Sequence, residues 1–150
     1  MANGKEHREI ALVVGAAAAF CCASDAPRDN AIVETIGGAL GGYVGGVLPD
    51  VIDPPIHPGH RSLGHGVLPV GATAKYYVEN VRAWQEELRR LARGYAQSAA
   101  RANSESERTK YLLLETLCQL AAGFVVGIGA GYVSHLAMDA CTPKGLPLLA

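Results

Sequence analysis

The sequence predicts an all-α protein: an up-down-up-down four-helix bundle with a projecting helix 3–helix 4 hairpin, and a metal site at the opposite end. Three observations predict it. No segment alternates apolar and polar residues as a half-buried strand would. Long runs of helix formers are separated by only three breaks, near residues 25–30, 49–61 and 103–107. Acidic and imidazole side chains fall at the helix ends that such a bundle gathers at one end.

The first helix is expected over residues 5–24, where Ile10-Ala11-Leu12-Val13-Val14-Gly15 leads into four alanines. Asp25-Ala26-Pro27-Arg28-Asp29-Asn30 is a turn with the chemistry of a helix start. The second helix is expected from about Ala31 to Leu48. Its middle holds six glycines, Gly37, Gly38, Gly41, Gly42, Gly45 and Gly46, in pairs four residues apart. Each glycine weakens a helix by about 1 kcal/mol relative to alanine, so a ladder of them implies close approach by a neighbouring helix. Glycine-rich helices of this kind would also serve association between copies.

From Pro49 to Arg61 four prolines in thirteen residues predict a stiff, irregular loop. The third helix should start near 62–66, tolerate Pro69 in an early turn and run to about Ala102. Asn103-Ser104-Glu105-Ser106-Glu107 breaks it and carries a capping box, Ser104 with Glu107 three residues on. The fourth helix then runs to Asp139, with Gly123, Gly127 and Gly131 again at four-residue spacing, and Pro143 stops it. At 1.5 Å per residue the last two helices reach about 50 Å against about 30 Å for the first two. Their shared hairpin, residues 82–110, should therefore project. It holds seven of the thirteen Lys and Arg residues mixed with acids, as a solvated hairpin would.

Length and composition set the bounds. One hundred and fifty residues make a single domain. Apolar residues make up 49% and charged residues 18%, below the usual ~25% of soluble domains. With a mean hydropathy of +0.15 the chain points to a membrane, a soluble cytoplasmic bundle being the alternative. Against spanning stand Glu34 and Glu115, inside or near the candidate apolar stretches. The net charge of −1 excludes a general nucleic-acid binder, which would show a basic excess. Cys21, Cys22, Cys118 and Cys141 form no CxxC pair and are expected as small core residues.

The candidate site follows from the topology. His135 and Asp139 lie four residues apart, on one face at the end of helix four. His7 at the start of helix one, Asp50 at the end of helix two and His65 at the start of helix three meet them at the same bundle end. Imidazole and carboxylate from separate segments suit a divalent metal. With an open position such a metal activates water, and Asp50 would orient or deprotonate it. Arg61 could hold a phosphate oxygen through its planar fork. His60 is open between ligand, proton donor and support, and His57 reads as loop surface.

These residues, in this order, resemble the YdjM-like family of membrane-bound, LexA-regulated, metal-dependent hydrolases. The matching elements are His7, Leu48-Pro49-Asp50-Val51-Ile52-Asp53, Gly59-His60-Arg61-Ser62-Leu63-Gly64-His65, and Ser134-His135 with Asp139, Thr142-Pro143 and Gly145. Gly64 stands where the family has threonine, and Asp53 comes one residue late. The ligand order is also distantly similar to the zinc-dependent phospholipase C and single-strand nuclease superfamily. That resemblance implies zinc, one or two ions, with other divalent metals as alternatives. It places Asp50, His65, His135 and Asp139 around one metal, with Asp139 bridging to a second held partly by His7. It further implies catalytic roles for Asp50, His60 and Arg61, a phosphate-ester substrate, membrane lipid as a neighbour and the bacterial inner membrane as the compartment. The alternative is a structural or adaptor membrane protein whose metal only ties helix ends together.

Overall fold

The computed structural model describes residues 4–52 and 67–141, and these are all-helical: α1 (Gly4–Cys22), α2 (Arg28–Ile52), α3 (Val67–Ala100) and α4 (Glu105–Ala140). Successive helices reverse direction, so α2 and α4 run parallel and α1 and α3 run against them. The register follows from the glycines: α2 meets α4 at Gly37 with Leu120, Gly41 with Phe124 and Gly45 with Ile128. Helices α1, α2 and α4 pack on one another, whereas among the described residues the backbone of α3 approaches only α4.

The glycine ladder has two faces. At Gly41 a Cβ would fall on the Phe124 carbonyl of α4, and at Gly42 one would fall on the Ala11 carbonyl of α1. Only hydrogen in place of a side chain allows backbones this close on both sides. The ladder is thereby occupied within the chain, so these faces of α2 are not available to a second copy.

The core is built of small residues. Ala11, Ala19, Ala23, Ala92, Ala99 and Ala122 are buried, while Val13, Phe20, Ile32, Ile36, Leu40, Leu113 and Val133 are exposed. Large apolar side chains outside and small ones inside is the pattern of helices packed in lipid, where lipid tails cover the outer face. The cysteines obey the same logic. Cys21, Cys22 and Cys141 are exposed and Cys118 is half-buried, so the expectation of core thiols fails. Glycine and alanine take the positions they would have filled.

Helix α2 continues through Pro49 to Ile52, so the start of the expected irregular loop is helical and Asp50 sits in a last helical turn. Proline denies Gly45 its usual N–H partner, but so near a helix end little of the ladder is lost. Pro69 falls in the first turn of α3, where proline is tolerated. At the other end Ser104 caps α4: its side chain accepts from the Glu107 N–H at 3.2 Å, while Glu107 accepts from the Asn103 N–H at 3.2 Å. Tyr95 stacks on Tyr111 across the hairpin, 6.5 Å between centroids.

One contact shortens the projection. Arg89 of α3 donates to Glu34 of α2 through Nε at 2.8 Å and through a terminal nitrogen at 2.7 Å, and also to the Cys22 carbonyl at 2.9 Å. Gln85 adds a bond to Glu34 at 3.2 Å. Glu34 is only 1% exposed, so α3 is fastened to the core as far as Arg89. The hairpin extends beyond the other helices after that point, not from Arg82.

Candidate metal centre

Three helix ends supply the centre. His7 lies in the first turns of α1, Asp50 in the last turn of α2, and His135 and Asp139 near the end of α4. The antiparallel placement of α1 against α2 and α4 brings them together. Neither α2 nor α4 has a basic residue in its last turn. Two carboxylates thus join the negative ends of two helix dipoles, beside the positive start of α1.

His135 is the most deeply buried member. It is 1% exposed, and its Nδ1 lies 2.6 Å from the Gly46 carbonyl oxygen. A carbonyl only accepts, so Nδ1 carries the proton and donates it. In the neutral ring Nε2 then carries a lone pair, the tautomer that ligates metal. That nitrogen faces Asp139 Oδ2 at 3.5 Å and Asp50 Oδ1 at 3.7 Å. His7 Nε2 lies 3.7 Å from the other oxygen of Asp139, and the two imidazoles stack with centroids 4.4 Å apart.

Direct hydrogen bonds would close to about 2.7–3.0 Å. Four ligands at about 2.1 Å around a tetrahedral ion stand about 3.4 Å apart, close to the separations found. One ligand atom from each of His7, His135 and Asp139 falls within 4.8 Å of the others, and all three residues are buried. Asp50 differs: its side chain is 36% exposed, so it forms the open rim of a closed cluster.

Of the residues expected at the site, the structure brings together His7, Asp50, His135 and Asp139. His65, His60, Arg61, Asp53 and His57 lie outside the described residues, as does everything from Thr142 onward. The Gly46 carbonyl is a contributor that residue types alone do not reveal. Its signal is position, as the last glycine of the ladder and three residues before Pro49.

Fold and site together define an all-α membrane protein with a buried histidine and carboxylate cluster at one end. Two of its helices, Arg28–Ile52 and Glu105–Ala140, are long and apolar enough to cross a bilayer. The chain belongs to the YdjM inner membrane protein family, whose model matches residues 10–150. Asp50, His135 and Asp139 fall within the matched stretch, and His7 just precedes it. No curated protein and no solved structure matches the chain.

Proposed function

We infer that this membrane protein is a metal-dependent hydrolase of phosphate esters, with His7, Asp50, His135 and Asp139 as the described part of its centre. The observation that carries the reading is the position of His135 Nε2, facing two carboxylates at 3.5 and 3.7 Å while Nδ1 lies against the Gly46 carbonyl. A divalent ion such as zinc, bound with an open position, supplies a water acidified toward neutral pH and a positive charge for a phosphoryl oxygen. His135 and Asp139 hold their positions through burial and the Gly46 bond. Asp139 turns one oxygen to each imidazole, so it would hold the ion together with both rings. Asp50, at the exposed rim, orients the attacking water and takes its proton. Arg61 is assigned to the substrate phosphate for its planar fork, and His60 stays open between ligand, proton donor and support. The choice of phosphate esters rests on the ligand order shared with the zinc phosphoesterases, and a lipid phosphate suits a centre at the end of membrane helices.

A second reading has an observation of its own. His7, His135 and Asp139 are each less than a tenth exposed, as a structural metal that ties helix ends would require. One experiment separates the two. Phospholipid, nucleotide and aryl-phosphate esters are offered to wild type and to Asp50→Asn, with metal content measured in parallel. Turnover by wild type and a 10²–10⁴-fold loss in Asp50→Asn at retained metal support the hydrolase. Full metal with no turnover of any ester supports the structural tie.

A further inference from the structure

We propose that a second copy of this chain, inserted in the opposite sense, pairs with α3 through a stripe of four charged residues. Lys75, Glu79, Arg82 and Glu86 recur at steps of four, three and four, which places them on one face of the helix. They are left uncovered: the side chains of Lys75, Glu79 and Glu86 are 78%, 58% and 68% exposed, and Arg82 is exposed as well. Their only described partners are loose pairs along their own helix, Lys75 with Glu79 and Arg89 with Glu86, both at 3.9 Å.

Depth makes this face a problem. The apolar helix α2 has its middle at Leu40, two residues past Gly38, which meets Gly127 of α4. Two residues further along α4, Gly129 meets Tyr77 of α3. The charged stripe is therefore level with the middle of α2. Because α2 and α4 run parallel, α3 has to return across the same thickness. Charges facing lipid at that depth are costly, and membrane proteins turn them toward a partner of opposite charge.

The stripe is its own complement. Read in sequence its signs are plus, minus, plus, minus, so an antiparallel copy presents minus, plus, minus, plus. A two-fold axis between Asn80 and Val81 sets Lys75 opposite Glu86 of the second copy, and Glu79 opposite its Arg82. A parallel pairing would set like against like. The axis crosses α3 at right angles, so in a bilayer it lies in the membrane plane and must fall at mid-depth. The midpoint of the stripe does so to within one helical turn of Tyr77.

Cross-linking in native membranes tests the arrangement. The four cysteines are replaced by serine, and single cysteines placed by Lys75→Cys and Glu86→Cys are co-expressed on differently tagged chains. A bismaleimide of about 10 Å spans the usual separation of packed helices. The expected result is cross-linking between position 75 of one chain and 86 of the other, several-fold above either position with itself. Preferential homotypic cross-linking, or no cross-linking of chains that are present in the membrane, overturns the proposal. A second measurement keeps the native cysteines and follows the dimer fraction in mild detergent. Lys75→Glu should lower it at least fivefold and the Lys75→Glu/Glu86→Lys pair should restore it. The repulsions along the helix persist in the double variant, so restoration can come only from the second copy. A double variant as monomeric as the single one also overturns it.

Discussion

His135 of α4 donates its Nδ1 proton to the carbonyl of Gly46 on α2, across 2.6 Å of buried space. One bond thus joins the two parallel helices, orients the ring and leaves its other nitrogen for the carboxylates. The glycine ladder makes this possible, since only close helices bring a backbone carbonyl within reach of that ring.

His135→Asn and His135→Ala should therefore behave differently. The asparagine side-chain amide can donate to Gly46 from nearly the same position but offers no imidazole nitrogen. His135→Asn is expected to lose metal while melting, in chelator, within a few degrees of wild type. His135→Ala is expected to lose metal and to melt lower by about 1–3 kcal/mol, the cost of an orphaned buried acceptor. Thermal melts in detergent with and without chelator read both. Equal melting of the two variants in chelator would argue against the Gly46 bond.

Gly42→Ala and Gly94→Ala should have opposite signs. A methyl group at Gly42 meets the Ala11 carbonyl and forces α1 away from α2, whereas nothing lies within 4 Å of the same group at Gly94. Overpacking costs about 1–3 kcal/mol, and alanine in an open helical position gains up to about 1 kcal/mol. Melting temperatures should fall for the first variant and hold or rise for the second.

The Glu34–Arg89 pair should show strong coupling. Arg89→Ala leaves a carboxylate that is 1% exposed without its main partner, which costs about 3–5 kcal/mol, toward the lower figure because Arg89 is partly exposed. Glu34→Leu combined with Arg89→Leu removes both charges and should recover much of the loss. A double-mutant cycle gives the coupling directly, and additive effects would contradict the buried pair.

The outward-facing Val13, Phe20, Ile36 and Leu113 predict integral membrane behaviour. The protein should sediment with membranes, resist extraction at alkaline pH and enter solution with detergent. Protein in the high-speed supernatant without detergent would contradict a lipid-facing surface.

Much of this was legible in the residues. Glycines at four-residue spacing announced close helices, and Ser104 with Glu107 announced the start of α4, because both signals are local. The convergence of His7, Asp50, His135 and Asp139 was legible because alternating helix direction alone decides which ends meet. What remained hidden depends on long-range placement. Arg89 looks like any solvated arginine until α2 brings Glu34 beneath it. Pro49 reads as a helix stop because local sequence cannot show that this proline is buried within the last turns of α2. Nor does any residue type reveal that the Gly46 carbonyl fixes a histidine tautomer.

The central claim is that this bundle end holds a divalent metal, and elemental analysis of protein purified without chelator tests it most directly. The account predicts one or two equivalents of zinc or a similar ion per chain, falling at least tenfold in His135→Asn. Less than about half an equivalent in wild type, or an occupancy that His135→Asn leaves unchanged, would contradict it.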